Sequence, residues 1–175
     1  MKLFVILVAA LFCSTGLLLS QSNDAKRAEE IQKRSEEAQK SLRGISSVFV
    51  VVQPVNDDVS KQGLSTAHLR SVVEASLTKA GVNMAKEPQQ KEGSANLIVT
   101  VDTIQQQGAC LFTTRVALTQ SVQLTRNAKL GTFAGQTWNA LALGLTTPGQ
   151  FEVIDQALQA KLTEFTTAFK AANAR

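Results

Sequence analysis

The stretch from Leu97 to Leu124 limits the possible folds more than any other. Leu97, Val99 and Val101 alternate with Ile98, Thr100 and Asp102, and the alternation resumes after Gln105-Gln106-Gln107-Gly108. Phe112, Val116, Leu118, Val122 and Leu124 then fall on one side; Leu111, Thr113, Arg115, Ala117, Thr119, Ser121 and Gln123 fall on the other. Successive strand side chains point to opposite faces, so a period of two with one apolar face predicts a half-buried antiparallel hairpin, wet on its outer side. The remaining segments supply a neighbouring strand, covering helices and an export address.

That address is at the start. Lys2 is followed by the apolar run Leu3 to Phe12, and Ser20-Gln21-Ser22 places small residues at the −3 and −1 positions of a cleavage site. This reads as a secretory signal peptide over residues 1–22. Leu3 to Leu19 is also nearly long enough for an uncleaved membrane anchor. Cys13 argues little for lipidation, because Phe12 precedes it where a small residue is wanted. The chain is therefore expected to be exported, to the periplasm or the cell envelope. Its 175 residues suit one domain. Taking Lys2 from the 18 basic residues leaves 17 against 14 acidic ones, a net charge of about +3 with the two signs interleaved, which does not point to nucleic acid. Cys110 would then be the only thiol, so no intramolecular disulfide is expected, and it reads as a small buried hydrophobe.

Residues 23–43 predict a charged helical stalk. Glu29 with Lys33, Glu30 with Arg34 and Glu36 with Lys40 are spaced i, i+4 with the acid first, while Ala28, Ile31, Ala38 and Leu42 make only a thin stripe. Gly44 ends it, and the domain is expected over 44–175. Val48 to Val52 is a β-branched run suited to a strand covered on both faces or flanked by neighbours, ending near Pro54. Asn56-Asp57-Asp58 reads as a polar loop. Ser65 caps the next helix, Leu64 and Leu69 form a hydrophobic staple, and Leu69, Val72, Val73, Leu77 and Ala80 form its stripe before Gly81. Val82 to Ala85 suggests a short strand, and 86–94 a loop. Thr132 to Leu143 predicts another strand, less regular, with Trp138 claimed by either face. Thr147-Pro148-Gly149-Gln150 reads as a helix start, followed by Phe151, Ile154, Leu158, Leu162, Phe165 and Phe169 at helical spacing. The fold expectation is α+β: a two-layer sandwich of an antiparallel-rich sheet with helices on one face, preceded by an exposed charged helix.

No residue set for catalysis emerges. His68 is the only histidine, with no thiolate or second histidine to complete a metal site. Gly63-Leu64-Ser65-Thr66-Ala67 resembles a nucleophile elbow only superficially, since His68 lies too close along the same helix start to serve as the base. Asp57, Asp58 and Asp102 are the carboxylates a hydrolase would use, but nothing places a third group beside them. The glycines lack the spacing and lysine of a phosphate loop. No catalytic residue, cofactor or metal is expected.

The segments Leu69-Arg70, Val73-Glu74, Leu77, Ala80-Gly81-Val82 and Ala95 to Val101 follow a pattern. So do Leu118 to Leu124 with Gln120, Thr137-Trp138, Phe165, Phe169 and Ala172-Asn173. Together, over roughly Ile45 to Asn173, the chain resembles a widespread group of small uncharacterised exported bacterial α/β proteins. Those motifs concern packing, and the resemblance implies no site residue. In element order the domain is also similar to small modules of envelope-assembly machines, such as the amino-terminal domain of the Tol-Pal propeller protein and the lipopolysaccharide-assembly lipoprotein. That similarity implies docking to partners. The leading expectation is a non-enzymatic interaction module binding an envelope or periplasmic protein, and touching membrane only through an uncleaved leader. Its docking surface would be Thr113, Arg115, Thr119, Ser121 and Gln123, with any free strand edge. The alternative is a small-ligand carrier using the space between sheet and helices, with Trp138 as a stacking surface.

Overall fold

The computed structural model of the chain describes residues 26–88 and 93–174. The leader assigned to 1–22, with Cys13, lies outside the described residues. Among the described residues, no helix is long and apolar enough to cross a membrane. The described residues up to 37 and those from Ala38 onward belong to two separate units. Helix α1 comprises residues 26–40. Its residues 26–37 are exposed, Ile31 included, as the thin stripe and the i, i+4 charge pairs require. In the second unit, Leu42 is fully buried and Ala38 packs against the core. These two residues, placed on the stalk by sequence, are part of the domain's packing.

The domain continues with β1 (Ser47–Val52), α2 (Asp57–Ser60), α3 (Thr66–Ala80), β2 (Ser94–Gln106), β3 (Ala109–Gln123), β4 (Thr132–Thr146) and α4 (Glu152–Asn173). Four strands form one sheet in the order β1-β2-β3-β4. β1 is parallel to β2, while β2–β3 and β3–β4 are antiparallel. Chain connection dictates this: β1 reaches β2 through α3, a crossover, whereas β2 turns directly into β3. At that turn Gln107 (φ 51°) and Gly108 (φ 81°) are both left-handed, as a two-residue hairpin of the favoured twist demands.

Both long helices cover one face, α3 over β1 and α4 over β3 and β4, and they touch each other. The inward row of the sheet includes Val48, Val50, Leu97, Val99, Val101, Phe112, Val116, Leu118 and Trp138. Leu69, Val73 and Leu77 from α3, and Ile154, Leu158, Leu162 and Phe165 from α4, close the same core. The expected α+β two-layer sandwich is the fold. The α3 start is as read: Ser65 Oγ accepts from the His68 N–H (3.1 Å), and Leu64 and Leu69 are both buried.

Of the two settings expected for β1 it has the second, flanked by β2 and by the bridge to Met84. Its outer face, with Ser47, Phe49 and Val51 half-buried, is not covered, because helices cover only the inner one. Several local expectations are corrected. Val82 to Ala85 forms no strand, only an isolated bridge from Met84 to Val48. Asn56-Asp57-Asp58 is not a loop: the Asn56 side chain accepts from the Asp58 N–H and starts α2, with both acids in the favourable first turn. Thr147 to Gln150 is a turn closed by Gln150 N–H to Thr147 O (3.1 Å), with Gly149 left-handed (φ 83°). Helix α4 begins only at Glu152, after Phe151, without a side-chain cap. β4 extends three residues beyond Leu143, to Thr146.

Candidate docking surface

Thr113, Arg115, Thr119, Ser121 and Gln123 all lie on the outer face of β3, turned away from the helices. Arg115, Ser121 and Gln123 are exposed, and Thr113 and Thr119 are half-buried. Residue pairing places them beside β4: Thr113 stands opposite Leu143, Arg115 opposite Leu141, Thr119 opposite Gln136 and Ser121 opposite Ala134.

Beyond Trp138, β4 is arranged with small residues inside and large ones outside. On the core side Ala140 faces Val116, Ala142 faces Thr114 and Gly144 faces Phe112. The β3 side chains already fill this space: a Cβ on Gly144 would lie 2.5 Å from Phe112 Cζ, and one on Gly135 would lie 2.5 Å from Val122 Cγ2. The outer side carries Leu141, Leu143 and Leu145, which are 55%, 67% and 69% exposed. Leu145 pairs with Leu111, which pairs with Ile104, giving an apolar row across three strands. A shallow depression of about 210 Å³ lies at this end, lined by Ile104, Leu111, Leu145 and the neighbouring turn. Sequence reading missed these leucines. A strand's apolar residues normally mark its buried face, and here the larger apolar set is outside. One available signal was charge: no residue between Lys129 and Glu152 is charged, in a chain otherwise rich in both signs.

The two sheet edges differ. Along β1, Val48 N–H donates to Asn83 O (2.9 Å), Ala85 N–H donates to Val48 O (2.8 Å), and Arg70 Nη1 donates to Val50 O (3.3 Å). Along β4, nothing among the described residues pairs with the free edge from Trp138 to Thr146. Native proteins usually protect such an edge with charges, proline or short length. β4 has none of these, only a bulge at Thr137 between the Leu118–Trp138 and Thr119–Gln136 pairs.

That bulge is tied down by a polar joint. Ser41 Oγ donates to Thr137 O (2.9 Å), while Gln120 Nε2 donates to Thr137 Oγ1 (2.6 Å) and Ser41 O (2.9 Å). Asn173 Nδ2 donates to Leu42 O (3.0 Å), and its Oδ1 accepts from Gly44 N–H (2.9 Å). Gln120, Thr137 and Asn173 thus hold the entry and exit of the domain together.

The possible chemical groups are dispersed. His68 Nε2 lies 2.8 Å from Asp155 Oδ2, a pair between the first turns of α3 and α4 that sequence reading missed. Ser65 Oγ is engaged as the α3 cap, and no hydroxyl among the described residues hydrogen-bonds the other ring nitrogen of His68. Asp57 and Asp58 start α2, and Asp102 lies on the outer face of β2. No cluster of three metal-ligating side chains occurs among the described residues. Cys110 is buried, and desolvation pushes its thiol pKa up. Trp138 is only 5% exposed and packs edge-on against Phe165 at 5.2 Å, so it offers no open stacking surface.

No family model matches the chain, and no curated protein matches it. Among solved structures it is similar to a minor lipoprotein from Acinetobacter baumannii, with a TM-score of 0.38 and 12% identity. That likeness covers 73% of this chain and 92% of the other. A likeness of that degree assigns no activity.

Proposed function

We propose that this chain is an exported, non-enzymatic interaction module that docks a protein partner in the periplasm or cell envelope. The observation that carries the reading is the uncovered outer side of β4, where Leu141, Leu143 and Leu145 stand exposed beside an unpaired strand edge. A partner laid across that face covers the apolar row, and the leucines supply side-chain selectivity. Arg115 and Thr113, directly opposite Leu141 and Leu143, add polar contacts at the margin of the apolar row. Export is supported by the leader pattern Lys2, Leu3 to Phe12 and Ser20-Gln21-Ser22.

The test is cross-linking in intact cells with the full chain carrying a carboxy-terminal tag, comparing the native chain with Leu143→Lys and with Lys79→Glu on the opposite, helical side. A single dominant envelope partner, lost in Leu143→Lys and kept in Lys79→Glu, is the expected result. Equal recovery in both variants would contradict the placement of the surface.

A further inference from the structure

We infer that the free edge of β4 pairs with β4 of a second copy, antiparallel about a two-fold axis at Leu143. The inference rests on the docking reading above and names the occupant of the edge, leaving the outer sheet face to the envelope partner. A strand that fits this edge has to be extended, uncharged and itself open on one side. It also has to alternate large outer with small inner side chains. β4 meets all four conditions.

In this register Leu143 faces its own copy, and Leu141 and Leu145 face each other across the pair. On the inner side Ala142 faces Gly144 and Ala140 faces Thr146, small against small. Cross-strand side-chain contacts stabilise a sheet, and like charges placed opposite each other destabilise it. About a two-fold axis a charge at the centre of the strand faces its own symmetry mate, and like charges so placed repel. β4 escapes this because no charge occurs between Lys129 and Glu152. The bulge at Thr137, held by Ser41 and Gln120, falls outside the paired residues and limits the pairing to the leucine half of the strand. The contact is isologous and therefore closes as a dimer instead of growing into a fibre.

The experiment uses the full chain with Leu143→Cys, oxidised or treated with a short bismaleimide in intact cells, with Lys79→Cys as the helix-side control. The expected result is a homodimer band from Leu143→Cys, absent from Lys79→Cys. The band should be lost when Leu141→Lys and Leu145→Lys are added. These positions are largely exposed, so the added lysines leave the fold in place and put like charges across the pair. Cross-linking of Leu143→Cys to a different protein, with no homodimer, would overturn the second-copy inference and leave the docking reading standing. No cross-linked species of either kind would overturn both.

Discussion

The ring of Phe112 lies over Gly144 on the neighbouring strand, so close that a Cβ on Gly144 would stand 2.5 Å from Phe112 Cζ. This contact explains why β4 keeps small residues on its core side. Gly144→Ala is expected to destabilise the fold by about 1–3 kcal/mol through overpacking. Phe112→Leu in the same chain should recover part of that loss, since the two positions share one space. Denaturant unfolding of the two single variants and the double variant measures the coupling.

Thr114 is fully buried on the inner face of β3, and its Oγ1 has no hydrogen-bond partner among the described residues. A buried hydroxyl without a partner carries its desolvation penalty uncompensated. Thr114→Val keeps the β-branched shape and removes that group, so it should raise stability by about 1 kcal/mol. A lower unfolding midpoint would show that the hydroxyl has a role in the fold.

Cys110 is buried at the start of β3, and burial raises its thiol pKa above the ordinary 9.0. The native thiol should therefore react slowly with a thiol reagent and rapidly once the chain is unfolded. The sign of the pH effect follows from proton binding. With the folded pKa raised, the unfolded chain releases the proton first, so stability is unaffected at neutral pH and falls as pH rises above 9.0. Comparing the alkaline slope of unfolding stability in Cys110→Ala and the native chain tests this, the slope being smaller in the variant.

His68 and Asp155 join the starts of α3 and α4, but their side chains are 47% and 23% exposed. Solvent screening holds such a pair to about 0.2–1 kcal/mol, so His68→Ala should be mild. Phe165→Ala removes a ring packed on both Trp138 and Phe169 and should destabilise by about 3–5 kcal/mol. Thermal unfolding of the two variants ranks them. A larger effect from His68→Ala would make the His68–Asp155 contact between the two helices, and not the aromatic packing, the more important link.

Much of the fold was legible because local and tertiary preferences agree. The alternation of β2 and β3, the Ser65 cap and the α4 stripe each read the same way in sequence and structure. The failures occur where they diverge. At Thr147 to Gln150, proline and glycine serve equally well in a helix entry and a tight turn, and the left-handed Gly149 decides for the turn. At Asn56 the same side chain that closes a loop also caps a short helix. The candidate surface was half legible. The face of β3 bearing Thr113 and Arg115 follows from alternation, but the leucines of β4 look like core residues until Phe112 and Val122 are seen filling the inner side. Hydrophobicity alone does not say which side of a strand has room.

The most direct test of the docking account is the labelling rate of Leu143→Cys by a maleimide, read at that peptide by mass spectrometry, in intact cells and in the isolated full chain. Leu143 is 67% exposed in the single chain, so the isolated protein, diluted until it is monomeric, should label rapidly. The account predicts strong protection at this position in cells, with Lys79→Cys on the helical side labelled at the same rate in both settings. Equal labelling of Leu143→Cys in cells and in isolation would contradict it, leaving the outer side of β4 without an occupant.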